Sequence, residues 1–337
     1  MHARVTWDCE RRTPVRCYAA PSMTLRELDL APWLVRALVF VWGCLWGSFL
    51  NVVIYRVPRG MSVVRPASHC PGCGAPIRGF DNVPVLSWLL LGGRARCCGV
   101  RVSPRYVAVE VLGGLLAVAI AEALVLTLPG DASVFHASSI FLADLGLALA
   151  LVAAAFIDLS HMYLPDAITL GGTLFGLATP GLRDLTWTDA LLGAGAGWVG
   201  VWLPFIVGYQ AIRGRQGMGM GDAKLVMLAG AWFGWPGAAF ALFGGALQAS
   251  LGAIVVLLVR GRIDEPEAVR ADREELQRAA AAGDTEAAEA LADDPLGTAP
   301  EEGVMAARMP FGPFLCLAII EWMLVGSWIR DRILFVG

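Results

Sequence analysis

The chain has 337 residues, of which 57% are hydrophobic and 16% charged, with a formal net charge of -3 and a mean hydropathy of +0.62. Soluble domains are about 45–50% apolar and about 25% charged, so a soluble globular fold is excluded. The net charge is misleading as an average, because basic and acidic residues are segregated along the chain; no nucleic-acid partner is expected.

Residues 1–31 form a polar tail with Arg4, Arg11, Arg12 and Arg16. They contain no apolar stretch of their own, so they do not read as a signal peptide. Met23 is an alternative start, which would make the first apolar run an uncleaved signal anchor. Apolar runs of about bilayer-crossing length follow at 32–54, 105–128, 137–157, 167–183, 188–209, 223–236, 238–259 and 309–328. The pattern predicts an all-α polytopic membrane protein with about eight transmembrane helices. A small cysteine-containing cytoplasmic module, residues 55–104, lies between the first and second. Residues 105–259 hold the second to seventh spans, and 329–337 are a C-terminal tail.

Orientation follows from arginine and lysine. Between 55 and 105 lie Arg56, Arg59, Arg65, Arg78, Arg94, Arg96, Arg101 and Arg105 against Asp81 alone. That loop is expected in the cytoplasm. Counting spans puts 158–166, 210–222 and 260–308 on the same side, and Arg213, Arg215, Lys224, Arg260 and Arg262 agree. The basic N-terminal tail is the exception, explained by a later start or by the downstream charges.

Residues 260–308 are Ala-rich and hold 13 of the 29 acidic residues. They are expected to form one or two exposed helices with a mobile connection, either as a solvated insertion or as a docking surface for a basic partner.

Two aspartates stand at the ends of apolar runs. Asp158 closes "LALALVAAAFID", and Asp222 closes "GMGMGD" and opens the next span. Carboxylates at membrane depth are costly. Two at one depth can share a proton, because neighbouring negative charges do not both ionise easily. One then activates water while the other polarises the carbonyl under attack. Gly217, Gly219 and Gly221 let the backbone come close to an extended substrate and adopt positive φ. Asp222 lies near a helix N-terminus, which favours its charge. Each aspartate alone would also read as a helix cap. Lys224 is not a phosphate-binding lysine: Leu225 follows it, and no strand precedes the glycines.

Of eight cysteines, Cys44 and Cys316 read as membrane packing, while Cys70, Cys73, Cys97 and Cys98 fall in one polar loop. A Cys-x-x-Cys pair followed about 25 residues later by more cysteine resembles a structural zinc module. The adjacent Cys97 and Cys98 replace the expected second Cys-x-x-Cys. A metal site completed by Cys97, His69 or water is one reading, and four reduced thiols the other.

The segments "GSFLNVVIYRVPR" (47–59), "CPGCGAPIRGFDNVPVLSWLLLGGR" (70–94), "SPRYVAVE" (103–110), "FIDLSHMYLPDAITL" (156–170), "GMGMGDAKL" (217–225) and "MPFGPFL" (309–315) occur in this order. In that arrangement the chain resembles type IV prepilin peptidases, also called prepilin leader peptidase/N-methyltransferases. The likeness covers nearly all of residues 32–328. The Gly-x-Gly-Asp element alone is shared with presenilin-like proteases.

The resemblance implies a membrane aspartic endopeptidase with Asp158 and Asp222 catalytic. Gly217, Gly219, Gly221 and Lys224 would form the supporting loop. It places zinc ligands at Cys70, Cys73 and Cys98. The fourth ligand position falls on Ala95, so Cys97 would have to compensate. The implied reaction removes a basic leader from prepilins or pseudopilins at the cytoplasmic face of the bacterial inner membrane. S-adenosylmethionine-dependent methylation of the new N-terminus follows, and the partners are the pilus or type II secretion machinery and membrane lipid. Asp81, Asn82 and Glu110 are candidates for cofactor or substrate contact, or else turn and interfacial residues. A proton-coupled transporter would instead require inverted repeats and a midplane site. A membrane scaffold would leave the paired aspartates unexplained.

Overall fold

The computed structural model describes residues 23–28, 31–214, 217–293, 309–330 and 332. Cys9, Cys17, the tail arginines, Arg215, residues 294–308 and most of the C-terminal tail lie outside the described residues. Among the described residues the protein is helical, with only isolated bridges such as His69 to Pro76 and Arg94 to Arg101.

The helices are α1 (Pro32–Arg56), α2 (Leu86–Leu90), α3 (Pro104–Ile120), α4 (Val134–His161), α5 (Asp166–Ala178) and α6 (Trp187–Val201). They are followed by α7 (Met220–Arg260), α8 (Glu267–Ala281), α9 (Thr285–Asp293) and α10 (Gly312–Ile329). Local chemistry starts several of them. Ser103 accepts the Arg105 N–H, and Ser133 accepts the His136 N–H. Thr186 and Asp189 form a reciprocal capping box that satisfies two otherwise orphan donors. Among the described residues six helices, with α3 continued to Val125 and α6 to Arg213, are long and apolar enough to cross a membrane, and α5 is a shorter apolar helix of 13 residues.

The eight expected spans are recovered as eight apolar helical segments, two of them joined. The segments 223–236 and 238–259 are the two arms of α7. Gly234 interrupts it at φ 70, ψ -173, a backbone state open essentially to glycine. Packing shows that the chain doubles back there. Gly230 meets the backbone of Gly193 in α6, while Gly245 meets Leu315 in α10. Gly312, at the start of α10, bonds to Asp158, which lines the same cavity as Asp222. Residues 222 and 245 therefore lie at one end of the bundle, whereas a straight helix would separate them by about 34 Å. The expected span 167–183 is shorter in the structure. Helix α5 ends at Ala178 because Thr179 precedes Pro180 and leaves the helical region, as residues before proline do.

Small residues bring the helices together. A Cβ on Gly43 of α1 would lie 2.3 Å from the Gly113 carbonyl oxygen of α3, the tight packing small residues permit between membrane helices. Leu151 and Ile157 of α4, Leu225, Leu228 and Trp232 of α7 and Leu315 and Ile319 of α10 are fully buried between them. Arg105, at the start of α3, stacks 4.9 Å over Phe156 of α4. The cysteine loop and Asp158 are thus at the same end.

The acidic insertion forms two helices, as expected, but α8 is more than a solvated rod. It packs on α4 with Val269 buried. The buried Arg273 donates from Nη1 to Glu265 Oε1 at 2.9 Å and from Nη2 to Oε2 at 2.6 Å. Removing one partner of a buried pair costs roughly 3–5 kcal/mol. Arg273→Ala should therefore loosen the insertion, read as faster tryptic cleavage at Arg270 and Arg278 with the membrane helices intact. Unchanged cleavage would show that the ion pair does not hold α8.

Candidate active site and cysteine centre

Asp158 lies one turn before the end of α4 and is 5% exposed. The chain then turns through Met162 at φ 52 and enters α5 after Leu164 and Pro165. Asp222 lies in the first turn of α7, and its Oδ2 accepts the Gly219 N–H at 3.3 Å. The two aspartates line one cavity of about 530 Å³ with Tyr163, Leu164, Asp166 and Lys224, and Asp222 feels the charge of Asp158. The fold thus brings together the two acids singled out in the sequence, 64 positions apart. A further buried acid of α4, Asp144, faces Arg183 instead. It sits 14 residues from Asp158, about 21 Å along the helix.

The glycine loop works differently from the expectation. None of Gly217, Gly219 and Gly221 has positive φ. Close approach is the reason at Gly217: its N–H donates to the Phe205 carbonyl at 2.9 Å. A Cβ there would lie 2.9 Å from the Tyr209 ring. Gly221 packs on Leu164. Lys224 Nζ pairs with Asp166 Oδ1 at 2.5 Å, tying α7 to α5 at the cavity wall.

Sequence reasoning missed two residues, Asp166 and Gly312. The Gly312 N–H donates to Asp158 Oδ2 at 3.0 Å. A Cβ on Gly312 would meet that oxygen at 2.7 Å and the Leu164 side chain at 3.1 Å. The signal was the Gly-Pro step in "MPFGPFL", a helix start with proline in its first turn.

The cysteine module consists of two turns related by a shift of 25 positions. The bridge His69–Pro76 matches Arg94–Arg101. The bonds from Cys70 N–H to Ala75 O and from Gly74 N–H to Cys70 O match those from Ala95 N–H to Val100 O and from Gly99 N–H to Ala95 O. In this register Cys73 pairs with Cys98, Cys70 with Ala95, and Cys97 with Gly72. Cys97 nevertheless points inward. The four sulfurs of Cys70, Cys73, Cys97 and Cys98 lie within 4.8 Å of one another. Individual separations are 3.6 Å for Cys70–Cys98, 3.4 Å for Cys73–Cys97 and 4.0 Å for Cys97–Cys98. Zinc–sulfur bonds of about 2.3 Å in a tetrahedron require sulfurs about 3.8 Å apart, so the donor set fits. The vicinal pair is accommodated, and His69 stays outside the cluster. The backbone N–H groups of Gly72 and Cys73 hold the Cys70 thiol low, at about 6. Contact with Cys73 and Cys70 pushes Cys97 up to about 12. One thiolate is thus favoured before any cation arrives.

Two of the three remaining loop candidates, Asp81 and Glu110, have structural partners. Asp81 receives Arg96 Nε at 2.9 and 3.1 Å. Glu110 Oε2 accepts the Val85 N–H at 2.7 Å, and Asn82 is exposed in a short 3-10 turn.

Comparison with known proteins agrees with this arrangement. Residues 41–124 match the Bacterial Peptidase A24 N-terminal domain and residues 145–257 the Type IV leader peptidase family. A prepilin leader peptidase/N-methyltransferase of Myxococcus xanthus is 35% identical over 315 residues, covering 86% of this chain and 90% of that protein. Proteins of the same name from Pseudomonas putida and Aeromonas hydrophila are 34% and 38% identical. These alignments cover 88% and 69% of this chain, and 92% and 86% of those proteins. No solved structure matches the chain. With both halves of the protein matched in order, the chain belongs to the type IV leader peptidase family.

Proposed function

We propose that the protein is an inner-membrane prepilin leader peptidase and N-methyltransferase whose peptidase centre is Asp158 and Asp222. The observation that carries this reading is the pair of acids from separate helices lining one cavity at the end of the bundle. One carboxylate takes a proton from water as it attacks the scissile carbonyl. The other, protonated, donates to the carbonyl oxygen; when the tetrahedral intermediate collapses, the first passes the water-derived proton to the leaving amine and the second takes its own proton back. The Gly312 N–H holds the Asp158 carboxylate and the Gly219 N–H holds that of Asp222. The Lys224–Asp166 pair fixes the wall beside them. The substrate is the leader junction of a prepilin or pseudopilin, presented at the cytoplasmic face by a membrane-anchored chain. Pilus or secretion machinery receives the product. Transporter chemistry is less well supported, because the acids sit at helix ends in a chain of this family.

Cys70, Cys73, Cys97 and Cys98 would hold a zinc ion in a structural role, in which it would clamp the two turns. S-adenosylmethionine supplies the methyl group for the amine that proteolysis exposes. Purified protein incubated with a prepilin should release the leader mass, and adding S-adenosylmethionine should raise the product by one methyl. An intact prepilin after incubation would refute the peptidase reading.

The register of the two turns yields a metal prediction. Cys97→Ala should weaken zinc retention roughly tenfold or more, and adding Ala95→Cys should restore it by supplying the equivalent of Cys70. Zinc content after dialysis against a graded chelator measures both. Full retention in the single variant would remove Cys97 from the ligand set.

A further inference from the structure

The loop between α1 and α3 wears its apolar residues outward. Leu86, Leu89 and Leu90 of α2 are 58%, 59% and 85% exposed, and Phe80 is 61% exposed. The inward side is polar. Buried Ser87 donates to the Phe80 carbonyl at 3.0 Å and accepts the Val83 N–H at 3.1 Å. Trp88 Nε1 donates to the Val102 carbonyl at 3.1 Å. Polar contacts therefore hold α2 in place, and its leucines face away from the protein.

The position of α2 relative to the membrane follows from one bond. Val85, just before α2, donates its N–H to Glu110, which is six residues into the candidate span Pro104–Val125. Glu110 is thus about 9 Å along the helix from the start of the span, and its side chain leans back toward that start. Amphipathic helices in the membrane interface rest about 5–10 Å into the headgroup–acyl boundary, and a boundary at the start of this span would put the start of α2 at that depth. Val85 has φ 63, a rare state for a β-branched residue that the bond to Glu110 helps to hold. Around the patch, Arg78, Arg94 and Arg101 are exposed. The nearby acid, Asp81, is already taken by Arg96. A positive rim around an apolar centre complements an anionic lipid surface.

We propose that α2 and Phe80 dock on the anionic bilayer surface, with their apolar side chains in the headgroup–acyl boundary and Arg78, Arg94 and Arg101 among the phosphates. The cysteine centre is thereby held against the membrane at the same end as the aspartates. This inference rests on the spans and the loop geometry and is independent of the proposed activity.

A nitroxide attached through p-acetylphenylalanine tests it in the full chain and leaves the cysteines untouched. Labels at Leu90 and Leu86, with Glu286 as the water-exposed reference, are read in nanodiscs containing phosphatidylglycerol. At Leu90 and Leu86, relaxation by oxygen should exceed relaxation by a water-soluble nickel chelate roughly threefold relative to Glu286, as expected below the headgroups. Nickel access at Leu90 equal to that at Glu286 would overturn the proposal and leave the patch to a soluble partner. Exchange to purely zwitterionic lipid should raise nickel access at Leu86. No change there would remove the arginines from the docking surface.

Discussion

Asp158→Asn and Asp222→Asn should each lower leader cleavage by roughly four orders of magnitude or more, the scale seen when one member of a catalytic unit is removed. The substitutions keep the side-chain volume, so neither helix needs to repack. Each removes the ability to exchange a proton with water or with the departing amine. The double variant should be little worse than either single one, because groups that act as a unit do not lose activity additively. Substrate mass, followed over hours with the protein still monodisperse and holding its metal, reports the result. Cleavage at even a tenth of the normal rate by either folded variant would end the assignment of a two-carboxylate centre.

Gly312→Ala is the second large effect expected. The new methyl would sit 2.7 Å from Asp158 Oδ2 and 3.1 Å from Leu164, inside contact distance for both. Leu164 is backed by Gly221 and the carboxylate is buried, so the shift falls on the reacting group itself. A misplacement of about 1 Å at such a group costs on the order of 10²-fold in rate. Because substrate binding spreads over a much larger surface, kcat should fall while KM changes less than about twofold. Steady-state cleavage at several substrate concentrations separates the two. A rise in KM with unchanged kcat would make Gly312 a substrate contact and not a support for Asp158.

The parts of this protein that could be read directly are those written in local pattern. Runs of apolar residues marked the spans, and the Gly234–Trp235–Pro236–Gly237 stretch separated the two arms of α7. Asp158 and Asp222 stood out because a carboxylate ending an apolar run needs a reason. What escaped depended on contacts between distant positions. The bond from Gly312 to Asp158 joins residues 154 positions apart; the Gly-Pro step marks a helix start at Gly312 but does not name its partner. The role of Cys97 was ambiguous because the family resemblance places the fourth ligand at Ala95. Only the paired turns show that a residue one place before the matching ligand can still aim its sulfur at the centre. The positive φ expected of the glycine loop proved unnecessary, since Tyr209 and the Phe205 carbonyl crowd Gly217. The Glu265–Arg273 pair lies within a segment whose composition suggested a solvated insertion or a docking surface, and no internal ion pair.

The reversal of α7 at Gly234 bears on the lipid as well as on the protein. Its first arm runs about 14 residues before the turn, and neighbouring α5 has 13, so each reaches only about 20 Å. The hydrocarbon layer is about 30 Å thick, and short elements are matched by local thinning of the bilayer. Beside these two helices the membrane should be dimpled. A hydrophilic peptide would then cross less oil to reach the acids than it would anywhere else along the protein's perimeter.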